Sequence, residues 1–222
     1  MSVQVVYKNK AKSSLSGIVA VFVDEKYKIH SSNILLNKKE ILYLNNIIKN
    51  RKNDKNKLFT VNINEKKSAL IISHGKNNSI NTFETLGANC FEFLEKNSSE
   101  NILVSNTSIL MKNASQLLSH FIHGLKLKSY KFQTYKSKKA KKLFQITVIG
   151  KQDSKKNKNL DALEKGIFLT RDLVSEPGNI LHPDEYAKRL SSLRKYGLKV
   201  TIYDKKKLKK LGCGALLGVG QG

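Results

Sequence analysis

The first 150 residues switch repeatedly between two hydrophobic periods, one suited to strands and one to helices. Val3 to Tyr7 and Gly17 to Val23 read as strands, the second apolar on both faces and therefore placed centrally in a sheet. Asn37-Lys38-Lys39-Glu40 has capping-box spacing and precedes Ile41, Leu44 and Ile48 on one helical face. Leu58 to Ile63 and Ser68 to Ser73 flank the polar Asn64-Glu65-Lys66-Lys67, the pattern of a hairpin. Thr82 is placed to cap a helix whose Phe83, Leu86, Cys90 and Leu94 share a side. Asn101 to Ser105 reads as a short strand. Ala114, Leu118, Phe121 and Leu125 line a longer helix, and Leu143 to Ile149 reads as a closing strand. Strands alternating with helices, plus one hairpin, predict an α/β domain over residues 1–150 with a mixed sheet covered by helices.

Lys151 to Asn159 contains no apolar residue and is expected to be a linker, 151–159. A second unit, 160–222, follows. Leu160, Leu163, Ile167 and Val174 line one side of a helix. Both prolines of the chain, Pro177 and Pro183, flank a turn, and Pro183 suits the first turn of another helix, which Gly197 would close. Leu198, Val200 and Ile202 alternate as a strand, Asp204 is expected to cap a short helix that Gly212 ends, and Ala215 to Gly220 is expected to begin a further apolar strand. Two such strands would leave open edges and bare apolar faces, so this α/β unit is expected to be incomplete.

The longest apolar run, Ile18 to Val23, is strand-sized, so no membrane span is expected. The first eight residues lack a secretory signal pattern, and with only Cys90 and Cys213 the expected setting is a reducing, cytoplasmic one. The formal charge of +24 raises nucleic acid as a partner, but four arginines stand against 37 lysines. Guanidinium forks for bidentate recognition are scarce, and lysine rises with asparagine and isoleucine as a general compositional bias would make it. The lysines still predict salt-sensitive, nonspecific binding to nucleic acid.

Several residues invite a chemical reading. His120 and His123 lie three apart on the long helix, yet no third ligand stands nearby in sequence, and a satisfied or exposed pair is the plainer reading. His74-Gly75 ends a strand where α/β domains bind ligands, and a tight turn suffices to explain it. Gly218, Gly220 and Gly222 imitate a phosphate loop without the Lys-Ser/Thr that should follow. Asp172, Asp184 and Glu185 sit on a helix or in its first turn, where negative charge suits the dipole. Lys138 to Lys142 reads as a solvated edge.

The residue order from Leu160 onward is distinctive. Thr170-Arg171-Asp172-Leu173-Val174 precedes Pro177-Gly178-Asn179 and Pro183; Tyr196-Gly197-Leu198-Lys199-Val200 and Leu211-Gly212-Cys213-Gly214-Ala215-Leu216-Leu217-Gly218-Val219-Gly220-Gln221-Gly222 follow. This closely resembles the opening of the catalytic domain of leucyl (cytosol) aminopeptidases. Gly124-Leu125 through Tyr130-Lys131-Phe132 and Tyr135-Lys136 resemble the end of that family's N-terminal domain, which is of a type similar to the macro fold. Ser175 stands where the family often has asparagine, and His182 where serine or threonine caps the next helix, a loss of about 1 kcal/mol. The resemblance implies a cytoplasmic homo-hexamer that releases N-terminal residues from peptides with two divalent ions, manganese or zinc. The family's metal ligands lie beyond the point matching Gly222, so no residue here inherits a catalytic or metal role, no cofactor is expected in this chain, and no substrate-binding residue is assigned. The expectation is the N-terminal part of such an enzyme, inactive alone; a basic nucleic-acid or nucleotide-binding module without peptidase activity is the alternative.

Overall fold

In the computed structural model the described residues are 2–10, 16–51, 57–76, 79–137, 143–150 and 154–220. They divide into two compact units, one up to Thr170 and one from Arg171.

The first unit is built on six strands: β1 (Ser2–Lys8), β2 (Gly17–Asp24), β3 (Leu58–Asn64), β4 (Lys67–Gly75), β5 (Asn101–Ser105) and β6 (Leu143–Ile149). Their order across the sheet is β1-β6-β5-β2-β4-β3, parallel throughout except for β3, which runs antiparallel to β4. The sheet is therefore mixed, as the hairpin among strand–helix alternations required. The strand at the N-terminus pairs with the last one, Ser2 opposite Leu143 and Lys8 opposite Ile149.

Period-two alternation decides which side chain goes to which layer. On β2, Ala20 and Phe22 join the core that faces α2 (Ile80–Lys96) and α3 (Ala114–Ser129), whereas Val19, Val21 and Val23 join the core that faces α1 (Lys38–Ile48). On β4, Leu70 and Ile72 take the first side and Ala69 and Ile71 the second. A strand buried on both faces has no polar side to show, which is why β2 reads as a continuous apolar run. The rings of Phe22 and Phe121 meet edge to face at 5.0 Å, and Phe22 stacks on Phe83 at 5.7 Å.

The helix starts follow local chemistry. Asn37 forms the expected capping box: its Oδ1 accepts from Glu40 N and Glu40 Oε2 accepts from Asn37 N, each at 2.9 Å. The same Glu40 oxygen accepts from Lys67 Nζ at 2.8 Å, and Lys67, only 7% exposed, also donates to the Leu35 carbonyl at 2.8 Å. The cap of α2 is Ser79 rather than Thr82. Ser79 Oγ accepts from Thr82 N at 3.2 Å, so the extended residue that caps lies one turn earlier than the sequence pattern placed it.

Helices α2 and α3 cross at very close range, and two glycines allow it. A Cβ built on Gly124 would lie 1.9 Å from the Glu84 carbonyl oxygen, and one on Gly87 would lie 1.9 Å from that of Phe121. Neither space can hold a methyl group.

Helix α4 (Ser154–Ser175) corrects the expected linker over 151–159. Residues 151–153 lie outside the described set, but 154–159 are helical. A polar stretch extends a helix once an adjacent segment has nucleated it, because each added residue gains one backbone bond. The division at Thr170 and Arg171 falls within this helix.

The second unit contains the end of α4 and the helices α5 (Pro183–Ser191), α6 (Lys205–Lys210) and α7 (Gly214–Val219). Pro183 occupies the first position of α5; His182 precedes it without a side-chain capping bond, as its imidazole predicted. Asp204 caps α6, its Oδ1 accepting from Lys207 N at 2.7 Å, and Gly197 closes its turn with φ +84°. Both strands expected here are absent among the described residues. Leu198 to Tyr203 forms neither a helix nor a ladder, and its Val200 carbonyl accepts from Arg194 Nη2 at 2.8 Å. Ala215 to Gly220 falls on helix α7 instead, with Leu217 N donating to Cys213 O at 3.1 Å. Backbone groups without a neighbouring strand are satisfied by the next turn of their own chain, and apolar runs this short fit either form. No described residue of this unit is buried.

Candidate functional site

The carboxyl ends of the parallel strands provide the first candidate. From β2 the chain passes to α1 on one face, and from β5 to α3 on the other, so these neighbouring strand ends form a topological switch point. A cleft of about 250 Å³ opens there, lined by Phe22, Asp24, Lys28, His30, His74 and Met111 among others. Gly75, with φ +61°, turns the backbone out of β4 in a left-handed conformation that glycine adopts without strain. The His74 ring lies 5.5 Å from that of Phe83, at the margin of the core, and Lys76 pairs with Glu25 across the rim at 3.4 Å. Opposed charges line this mouth, so it shows no single-sign field for an anion.

The second candidate lies under α3, against the edge strand. Val3, Val5 and Tyr7 point to the same side of β1; Ser119, Ile122, His123 and Lys126 come from α3; Leu160, Asp161 and Glu164 come from the part of α4 within the first unit. Together they line a half-open cavity of about 240 Å³. Lys126 Nζ donates to Asp161 Oδ1 at 3.1 Å and pairs with Glu164. Burial works against the charge on Lys126, but its hydrogen bonds to Glu164 and Asp161 outweigh that and hold its pKa above the ordinary lysine value. Burial likewise pushes the Tyr7 phenol up, so it stays a neutral hydroxyl.

The histidine pair that stood out in the sequence meets at one carboxylate. Glu84 Oε2 lies 3.3 Å from His120 Nδ1 and 3.6 Å from His123 Nδ1. His120 is partly open, but His123 is 3% exposed and neither of its ring nitrogens has a hydrogen-bond partner among the described residues. Among those residues no group of three histidine, cysteine, aspartate or glutamate side chains is arranged to hold a metal ion. Desolvation is the main reason the His123 pKa is lowered, ahead of the raising effect of Glu84. The unfolded chain therefore takes up this proton first. Stability should fall as pH drops below about 6.5, the free imidazole value, and level off beneath the folded-state pKa. Thermal melts of the wild type and His123→Gln should diverge in slope across that range; parallel curves would remove His123 as the cause.

The other tempting residues resolve locally. Glu185 Oε1 accepts from Arg189 Nε at 3.0 Å and Glu176 Oε1 from Arg189 Nη1 at 2.9 Å, and the Arg189 bond holds the Glu185 carboxyl below its usual range. Asp184 shares the first turn of α5, and Asp172 lies on α4. Gly218 is within α7 and Gly220 caps its end, so the glycine spacing belongs to a helix and its terminus rather than a loop before one. Lys138 to Lys142 and Gly222 lie outside the described residues. Burial raises the pKa of Cys90, which makes it an inert core thiol. The cluster of Lys126, Asp161 and Glu164 escaped the sequence reading; its only trace there is the three-residue spacing of the two acids on one helix.

The model of the cytosol aminopeptidase family, N-terminal domain, matches residues 18–139, more than half of the chain. The chain belongs to the cytosol aminopeptidase family. The model of the family's catalytic domain matches residues 168–222, so the two domains of the family occur in order with residues 140–167 unmatched between them. The probable cytosol aminopeptidase of Phytoplasma australiense is 36% identical over 159 residues, 68% of this chain and 32% of that protein. That of Afipia carboxidovorans is 46% identical over 106 residues, 45% of this chain and 21% of that one. The chain thus spans a third or less of the length of these cytosol aminopeptidase relatives. A mutant of tomato leucine aminopeptidase superposes with a TM-score of 0.72 at 19% identity, over 95% of this chain and 46% of that one. The bottromycin maturation enzyme BotP, in complex with Mn, gives 0.63 at 16% identity, over 89% and 40%. Both show that the fold is shared.

Proposed function

We propose that this chain is the N-terminal part of a metal-dependent aminopeptidase that releases N-terminal residues from peptides. Both family domains in their order, 18–139 and then 168–222, carry the reading. The sheet domain would serve assembly of a cytoplasmic homo-hexamer and shape access to the active site.

The family's two-metal chemistry needs several carboxylates free to bridge two ions, which would be manganese or zinc. Three of the five carboxylates of the second unit are already engaged, and among the described residues no group of three histidine, cysteine, aspartate or glutamate side chains is placed to hold a metal ion. Glu176 and Glu185 are both engaged by Arg189, and Asp204 accepts from the first turn of α6. The ligands would come from the remainder of the catalytic domain, and these 222 residues would not hydrolyse peptides unaided.

Two assays test this together. Leucine p-nitroanilide incubated with the purified chain and Mn²⁺ or Zn²⁺ should release no chromophore above the buffer rate. The same residues grafted in place of the matching segment of a full-length relative should give an active hexamer. Turnover by the chain alone would refute its dependence on further residues, and a well-folded but inactive chimera would refute the role assigned to it.

A further inference from the structure

The cavity under α3 takes no part in the reading above, yet it has the makings of a binding site. His123 is almost completely buried, lines the cavity, and has no hydrogen-bond partner for either ring nitrogen among the described residues. A buried polar group in that state is destabilising unless something occupies the space beside it. A neutral imidazole offers one acceptor and one donor.

Charge narrows the class of occupant. Lys126 supplies one positive charge against Asp161 and Glu164, and Glu84 lies on the other side of His123 at 3.6 Å. Two lining carboxylates against one ammonium leave an excess of negative charge, which disfavours an anion. Each carboxylate has two oxygens and about four acceptor positions, so contact with Lys126 does not saturate either one. A metal ion is poorly served, because the Lys126 ammonium already lies between the carboxylates and no three-ligand group is present among the described residues. What remains is a donor cation small enough to share the carboxylates. Val3, Val5, Ile122 and Leu160 give the rest of the lining an aliphatic surface.

We infer that this cavity binds a primary ammonium group carried on a short aliphatic body, the ammonium donating to Glu164, Asp161 and the His123 acceptor nitrogen, and the body lying against β1. A simple alkylamine and an apolar α-amino acid share that chemistry and differ in the carboxylate.

Three probes of one shape separate these sources: 3-methylbutylamine, leucine and 4-methylpentanoate. Each is titrated to millimolar concentration into the ¹⁵N-labelled chain near pH 7.5, where amines are charged and imidazoles largely neutral. The His123 ring resonances are followed, assigned by their loss in His123→Gln. Saturable shifts with 3-methylbutylamine, and none with 4-methylpentanoate, are expected. A matching response to leucine identifies the amino acid as an accepted source, and its absence restricts the site to amines. Glu164→Gln should weaken the response about tenfold, as loss of one charged hydrogen bond does. Asp161→Asn, at the more exposed carboxylate, should weaken it less and guards against misfolding of the first variant. Failure of both ammonium probes to shift His123 overturns the proposal and leaves a water-filled cavity. Equal shifts with 4-methylpentanoate, or undiminished binding in a folded Glu164→Gln, overturn it too. None of these outcomes bears on peptide hydrolysis.

Discussion

Replacing Gly124 by alanine should lower the unfolding free energy by about 3 kcal/mol or more, because one methyl group must enter a space already filled by backbone. The added Cβ would stand 1.9 Å from the Glu84 carbonyl oxygen, 2.7 Å from its carbon and 2.9 Å from its Cα. No side-chain rotation relieves that overlap, so α2 and α3 would have to separate and loosen the edge-to-face contact of Phe22 with Phe121. Gly87→Ala should act similarly, against the Phe121 carbonyl. Gly166, in α4 with nothing within 4 Å, is the control: its alanine variant should be neutral or gain about 0.5–1 kcal/mol from helix propensity. Urea unfolding followed by circular dichroism would rank the three. Gly124→Ala as stable as Gly166→Ala would mean that the helices do not cross as described.

Lys67→Met should be nearly as damaging, at about 3 kcal/mol, the usual effect of removing one member of a buried ion pair. The lysine holds the Leu35 carbonyl and Glu40 Oε2 at 2.8 Å each, while Glu40 also completes the capping box of α1. Methionine fills much the same volume but strands the carboxylate and the carbonyl. Adding Glu40→Gln to Lys67→Met should recover part of the loss, since the amide oxygen still accepts from Asn37 N and no charge is left unpaired. Additive losses in that double mutant would indicate that the pair is not coupled in solution.

These two positions mark where sequence reading succeeds and where it stops. The Asn37 box and the β3–β4 hairpin were legible because their determinants lie within a few residues of one another. The cap of α2 falls at Ser79, one turn before the Thr82 that the pattern indicates; both are hydroxyl residues, and their side-chain oxygens lie 2.9 Å apart. Lys67 gave no sign of burial, since its acceptors come from positions 35 and 40. Leu198 to Ile202 alternates like a strand but has no ladder, because alternation expresses a preference that only a partner can realise. The three-residue spacing from His120 marks His123 as a possible ligand. Its isolation, and the acids on α4 across the cavity, depended on which face of α3 turns toward β1, and no local spacing encodes that.

The pairing of β1 with β6 has a consequence for biosynthesis. Residues 2–8 leave the ribosome before the rest of the sheet, but their hydrogen-bonding partners at 143–149 are translated about 140 positions later. Until then the leading strand has no ladder, and the two ends of the sheet must close a long loop before either is protected. Folding of this domain is thus bound to follow translation of nearly all of it, and the edges of the earlier strands stay open until β6 emerges.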